Sequence, residues 1–320
     1  MTSTILITGA NGFVGRALCQ KACASNLSVK GMVRSVQTLV PDVEPVVIGE
    51  IDANTDWGSA LQGINVVVHL AARVHIMDER AVDPLQAFRK VNLDGTLNLA
   101  KQAALAGVQR FVFISSIKVN GESTHLGQPF RADDMPMPVD AYGISKREAE
   151  DALKRLAKET GMEIVIIRPP LVYGEGVKAN FYSMMRYLDK GVPLPLGAIH
   201  NQRSLVALDN LVDLIITCFT HPAAANQTFL VSDGEDLSTS DLLQRMANAL
   251  DKPARLLPVP VWLLRLGAVL LGKQAVAQRL CGSLQLDISK TRQLLDWTPP
   301  VSVDEALRKT AQYYRSHYSA

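Results

Sequence analysis

Apolar positions in the first half of the chain fall into two alternating patterns. The runs "STILITG", "LSVKGMVR", "PVVIGEI", "NVVVHLAA", "RFVFISS" and "EIVIIRPP" are apolar along nearly their whole length and rich in β-branched residues. Between them, Gly12 to Ser25, Asn92 to Ala106 and Tyr142 to Thr160 repeat their apolar positions at helical spacing. Strands without a polar face are covered on both sides, so the pattern predicts a parallel sheet with helices on each face, a doubly wound α/β fold. After Arg168 the regularity loosens through the Gly- and Pro-rich "RPPLVYGEGVKANF" into short helices and strands. A large first domain is expected over residues 1–170, and a smaller C-terminal α/β lobe over 171–202 and 223–320. Residues 203–222 are expected to return to the first domain, because "RSLVALDNLVDLIITCFTH" again reads as strand then helix.

Composition narrows the function. A chain of 320 residues that is 48% hydrophobic exceeds one ordinary core. Lysine and arginine number 33 against 31 acids, which gives no electrostatic reason to expect nucleic acid. The opening "MTSTILITGANG" runs straight into a strand and a glycine turn, with no room for a secretory leader, so a cytoplasmic protein is expected. Cys19 and Cys23 stand four apart, Cys218 and Cys281 stand alone, and no spacing suggests a metal. All four are expected as small buried hydrophobes. One strongly apolar segment, "LLPVPVWLLRLGAVLLG" at 256–272, is interrupted by prolines and Arg265 and is too short to cross a bilayer. It reads as a core helix, with a membrane-surface or dimer contact as the alternative.

"TGANGFVG" sets Gly9, Gly12 and Gly15 between the first strand and the first helix. The first glycine allows the tight turn, the second a close approach of backbone to a pyrophosphate, and the third close helix–strand packing. Asn11, Phe13 and Val14 complete this loop, and a dinucleotide is expected on it, held by the helix N-terminus. A purely structural glycine turn is the alternative. An acid usually ends the second strand of an NAD site, but "GMVRS" offers Arg34 and Ser35, which suit a 2′-phosphate unless Arg34 is only a solvated charge. NADP(H) is therefore expected ahead of NAD(H), with Asp52 reaching the adenine side.

"AYGISK" puts Tyr142 and Lys146 four apart on one helical face. A phenol with a pKa near ~10 becomes a usable acid or base if an adjacent ammonium lowers that value. Ser116, closing the fifth strand, can hydrogen-bond the same substrate oxygen.

In this order the motifs resemble the extended short-chain dehydrogenase/reductases, and within them the nucleotide-sugar epimerase/dehydratase group. "TGANGFVG", "VVHLAA", "VNLDGTLNL", "FISSIKVNG", "YGISK", "RPPLVYGEG", "RSLVALDN" and "DISKTRQLLDWTP" carry the likeness across nearly the whole chain. The resemblance implies a Rossmann domain with a substrate lobe, a nicotinamide cofactor, and Ser116, Tyr142 and Lys146 as the catalytic set. It places Ala71, Ala72 and Pro169 beside the cofactor, along with Tyr142 and Lys146. It also implies that Asn180 and Arg203 contact the diphosphate of a UDP-sugar substrate, with Arg279 a further candidate. Arg203 suits that task as a planar fork. Asn92 reads as a structural hydrogen-bonder, and His69, His75 and His200 as polar residues that could touch a sugar but are not catalytic.

In the family's 4,6-dehydratases, acids follow the catalytic hydroxyl; here Ile117 and Lys118 stand there, so dehydration is disfavoured. Lys118 is either a substrate contact or a surface charge. What remains is reduction of a UDP-4-keto-6-deoxy-N-acetylhexosamine for surface polysaccharide, or 4-epimerisation with retained NAD. Arg34 favours reduction. A steroid- or flavonoid-type ketone reductase is a further alternative, against which Arg203 argues, and a redox-sensing binding protein is another, against which the intact catalytic set argues. The family also implies a homodimer through "VNLDGTLNLAKQAALAG" and "YGISKREAEDALKRLAK".

Overall fold

The computed structural model describes residues 3–35, 39–74 and 83–318. Among these residues the strands are β1 (Thr4–Thr8), β2 (Ser28–Val33), β3 (Val43–Val47), β4 (Val66–His69), β5 (Arg110–Ile114), β6 (Glu163–Arg168), β7 (Leu171–Tyr173), β8 (Arg203–Ala207), β9 (Thr228–Leu230) and β10 (Asp236–Leu237). The first six helices are α1 (Phe13–Ala24), α2 (Pro84–Arg89), α3 (Thr96–Leu105), α4 (Ala141–Thr160), α5 (Ala179–Asp189) and α6 (Leu208–Thr220). They are followed by α7 (Thr239–Ala249), α8 (Val261–Leu270), α9 (Gln274–Cys281), α10 (Ser289–Leu295) and α11 (Val303–Tyr318).

Seven strands form one parallel sheet in the order β3-β2-β1-β4-β5-β6-β9. Successive side chains of a strand point to opposite faces, and both faces here are apolar. Ile5, Ile7, Val112 and Val165 pack under α1 and α6, whereas Leu6, Val67, Phe111, Phe113 and Ile164 pack under α3 and α4. The chain winds outward from β1 to β3 and then returns to start again at β4, so the ends of β1 and β4 diverge and leave a crevice at the reversal.

A third core unites Tyr173, Phe181, Leu205, Leu243, Met246, Leu307 and Tyr314 from β7, α5, β8, α7 and α11. The chain passes between the two bodies after β6, after β8 and after β9, and again on either side of α10, which packs on the large sheet before α11 joins the third core. The expected return over 203–222 is thus divided: β8 stays in a three-stranded sheet with β7 and β10, α6 covers the large sheet, and β9, beyond residue 222, joins the large sheet's edge. Apolar runs such as "RSLVA" form strands in either setting, and their pattern does not specify which sheet accepts them. Asp233 holds three of these crossings together. Its Oδ2 accepts from Tyr173 Oη (2.8 Å), while Oδ1 accepts from the Ala207 amide (2.7 Å) and from Asn210 Nδ2 (2.7 Å).

The 256–272 segment departs from the core-helix expectation. It contains α8, in which no residue is buried, and Trp262 and Leu270 are 65% and 79% exposed. Its sequence is apolar almost all round, so periodicity did not mark a face, and only the presence of a partner decides burial. No helix among the described residues is long and apolar enough to cross a membrane. Cys19 and Cys218 are buried, as expected, whereas Cys23 and Cys281 are only partly so.

α4 is fixed at both ends and in the middle. Asp140 caps it by accepting from the Gly143 amide (2.7 Å), and Gly161 closes it with φ +77°, a left-handed conformation that suits glycine. In the middle, Glu150 and Arg168 form a buried ion pair, with Arg168 Nε at 2.9 Å and Nη2 at 2.5 Å from the carboxylate. Glu150 also accepts from Ser115 Oγ (2.5 Å), and Arg168 Nη1 donates to Asn120 Oδ1 (2.9 Å). The helix is therefore bolted to the ends of β5 and β6. Removing one partner leaves an uncompensated buried charge, so Arg168→Leu is expected to cost about 3–5 kcal/mol in denaturant unfolding. Arg168→Leu with Glu150→Leu should recover much of that loss, and a double variant no more stable than the single one would refute the account.

His69 ties β4 to its neighbours. Its Nδ1 meets Thr8 Oγ1 at 2.8 Å and its Nε2 meets Thr96 Oγ1 at 3.0 Å, with the ring fully buried and stacked on Phe113. Burial, aided by the Lys146 charge, lowers its pKa from 6.5 to about 3. The folded state then binds fewer protons than the unfolded one between these values, so stability falls as pH drops through this window. His69→Gln should flatten that part of the curve of unfolding free energy against pH. An unchanged slope between wild type and variant would count against a neutral buried His69.

Candidate active site

The turn after β1 is compressed as the glycine spacing requires. Gly9 has φ +68°, and a Cβ there would stand 3.1 Å from the Ala71 amide nitrogen. A Cβ on Gly15 would lie 2.1 Å from the Gly9 carbonyl oxygen, so helix and turn touch with no space for a side chain. Gly12 begins α1 without any side-chain cap, and the helix carries no acid in its first turn. Its N-terminal amides and dipole are left to an anion. Asn11, Phe13 and Val14 lie in the same turn and first helical residues, and Ala71 is held opposite by its amide donating to Thr8 Oγ1 (3.1 Å). These residues fit the diphosphate of a dinucleotide.

The remaining expected cofactor residues lie at the C-terminal ends of neighbouring strands. Arg34 and Ser35 follow β2 and are exposed. Ala72 follows β4, and Pro169 follows β6, where its carbonyl accepts from the Ile117 amide (3.0 Å). Asp52 lies beyond β3 and accepts from the Asn54 amide (3.0 Å), which with Thr55 and Lys90 holds its carboxyl below the usual range.

The catalytic candidates converge on the end of β5. Ser116 caps a single 3-10 turn (Ile117–Val119), its Oγ accepting from the Lys118 amide (3.2 Å). The first turn of α4 is pressed against it, for a Cβ on Gly143 would approach the Lys118 carbonyl to 2.9 Å. Tyr142 sits in that turn, edge-on to Phe88 at 5.9 Å between ring centres. One turn on, Lys146 Nζ donates to the Ile114 carbonyl (2.8 Å) and lies over the Phe113 ring at 4.4 Å.

The electrostatics differ from the expectation. Burial, with Asp140 nearby, pushes Tyr142 up to about 12, and burial brings Lys146 down to about 7 against the pull of Glu150. Spacing put the two groups on one face, but it did not reveal how strongly burial shifts each of them.

Asn92 belongs to a π-helical turn (Lys90–Gly95) before α3. Its Nδ2 donates to Ser145 Oγ (3.1 Å) and the Arg73 carbonyl (3.0 Å), joining α4 to the loop after β4. Reading the sequence for catalytic groups missed Glu150. The signal was present, since Tyr142, Lys146 and Glu150 repeat at four-residue spacing along one stripe of α4.

Lys118 is half-buried, paired with Asp140 and with Glu122 at 3.0 Å; burial lowers its pKa, and the two carboxylates outweigh that and raise it. Carboxylates missing from the strand end are thus supplied from α4's cap and the following loop, though both are committed to this lysine. Arg203 Nη1 donates to the carbonyls of Arg279 and Gly282, both at 3.0 Å. The structure therefore brings Arg203 beside the chain of Arg279. Asn180 is exposed on the first turn of α5 and makes no hydrogen bond to either arginine. His69 is buried beneath the site and unable to touch a sugar, His200 is exposed, and His75 lies outside the described residues.

Residues 5–232 match the NAD dependent epimerase/dehydratase family. The chain is 52% identical over 316 residues to a UDP-glucose 4-epimerase of Vibrio cholerae, covering 98% of this chain and 96% of that protein. It is 28% identical to an Escherichia coli O157:H7 N-acetyl-alpha-D-glucosaminyl-diphospho-ditrans,octacis-undecaprenol 4-epimerase, covering 99% and 97%. Its fold matches the UDP-glucuronic acid 4-epimerase from Bacillus cereus in complex with NAD, with TM-score 0.79, 23% identity and coverage of 98% and 97%. The order of preference drawn from Arg34 is thereby reversed, because the relative at 52% identity is an epimerase and the family is NAD-dependent. With a family match over most of its length and this likeness to a UDP-glucose 4-epimerase, the chain belongs to the NAD dependent epimerase/dehydratase family, among the extended short-chain dehydrogenase/reductases.

Proposed function

We propose that the protein is a UDP-hexose 4-epimerase acting on UDP-glucose or UDP-N-acetylglucosamine in the cytoplasm, with NAD retained through the cycle. The likeness over almost the full chain to a UDP-glucose 4-epimerase carries this reading. Gly9, Gly12 and Gly15 with the α1 N-terminus hold the NAD diphosphate, Asp52 lies on the adenine side, and Ala71, Ala72 and Pro169 line its path. NAD held there would supply reversible hydride transfer at the sugar's C4, with no net redox change over the cycle.

Tyr142 acts from its phenolate form, which positive charge brought into the buried site by the bound dinucleotide would favour; it takes the proton of the C4 hydroxyl as the carbonyl forms and returns it when the alcohol is restored. Ser116 donates a hydrogen bond to that oxygen and fixes its position. Lys146 orients this pair from the next turn of α4. With a pKa near neutrality it responds strongly to charge brought into the buried site. Arg203, steadied by two carbonyls, faces the substrate diphosphate with Arg279, while Asn180 meets it from α5 and Lys118 borders the sugar. The exposed surfaces of α3 and α4 join two copies into a dimer.

One observation favours a second reading. No acid follows β2, and Arg34 with Ser35 suits the 2′-phosphate of NADPH, which a 4-keto reductase must exchange at every turnover.

A single experiment separates them. Denaturing the purified protein should release NAD⁺, and native protein given UDP-glucose or UDP-N-acetylglucosamine should form the 4-epimer without added cofactor. NADPH consumption with a 4-keto sugar and no epimer formed would replace this reading with reduction. Tyr142→Phe is expected to lower turnover by about 10²–10⁴-fold while leaving the fold and the bound dinucleotide in place. Full activity in that variant would remove Tyr142 from the chemistry.

A further inference from the structure

Beside Arg203 the molecule presents an apolar face that its own core does not use. α8 packs chiefly on α9 and buries none of its residues. Trp262, Leu263, Leu266, Val269, Leu270 and Leu271 are all large exposed hydrophobics. Scattered exposed leucines are ordinary on any surface, whereas a contiguous set of this size on one short hairpin marks a contact.

The charge around it is one-sided. Between Asp251 and Asp287 there is no acid, while Arg255, Arg265, Lys273 and Arg279 are exposed and make no ion pair among the described residues. Apolar side chains with aromatic and cationic neighbours on a helix too short to cross a bilayer are what an interfacial helix requires. Anionic headgroups supply the complementary charge.

The hairpin also borders a cleft. A space of about 650 Å³ is lined by Arg265, Val269, Gln278, Cys281 and Gly282 on one side and by Thr124 and His125 on the other. The Gly282 carbonyl is the one that receives Arg203. We propose that α8 and α9 form a docking surface for an anionic lipid bilayer, which holds the mouth of this cleft at the membrane. Docking of this kind is independent of which sugar reaction the protein performs.

Trp262 reports on it directly, because Trp57 and Trp297 are buried. The full-length protein is mixed at low salt with phosphatidylcholine vesicles containing about 30% phosphatidylglycerol, and separately with pure phosphatidylcholine. Co-sedimentation and a blue shift of tryptophan emission are expected with the anionic vesicles, both weakened by about 1 M salt. Trp262→Phe should remove the blue shift and retain co-sedimentation. Arg255→Gln and Lys273→Gln should each weaken binding about fivefold. Leu266→Glu with Leu270→Glu should abolish it while leaving circular dichroism and turnover unchanged. The proposal is overturned by failure to bind anionic vesicles, or by equal binding of the double glutamate variant. It is also overturned by a lipid-free dimer that the glutamates dissociate, which would give the face to a second copy.

Discussion

The site rests on one buried ion pair. Glu150 and Arg168 lie where water does not reach, so each needs the other, and their only stable arrangement fixes α4 against the ends of β5 and β6. Lys146 and Tyr142 stand one and two turns from Glu150 on the same stripe, so the pair sets their rotation as well as their height. A helix held only by apolar contacts could turn slightly and repack, but a bidentate guanidinium bridge resists both movements.

The strands also confine the chemistry to one edge. The inner strands of the large sheet are covered on both faces, and only the edge strand β3 is largely exposed. Only the residues just past the strand ends are available to bind anything, which is why the glycine turn, Ala71, Ser116 and Pro169 collect in one crevice. Burial then favours the uncharged forms of Tyr142 and Lys146 alike. Charge entering the site therefore decides the protonation of both groups.

Much of this was legible in the sequence. Fully apolar strands alternating with helical segments gave the parallel sheet, because two-sided burial leaves a direct trace in composition. The glycine spacing gave the compressed turn after β1, and Y-x-x-x-K the shared helical face of Tyr142 and Lys146, since backbone approach and helical geometry dictate residue type. What escaped were properties of the assembled molecule. "RSLVA" does not state which sheet will take it, the Lys146 pKa depends on how dry its surroundings are, and an all-apolar segment such as α8 looks alike whether covered or exposed. Arg34 misled for a related reason, as a cation at a strand end reads equally as a phosphate ligand or as an ordinary surface charge.

Asp233 gives the architecture a further consequence. By receiving Tyr173, Ala207 and Asn210 it joins three of the places where the chain passes between the two bodies. Neither body is a continuous stretch of sequence, so neither can be cut out or exchanged as a cassette by a single genetic crossover. New specificities in such a chain must come from replacing individual residues and loops around the crevice, with the frame inherited whole.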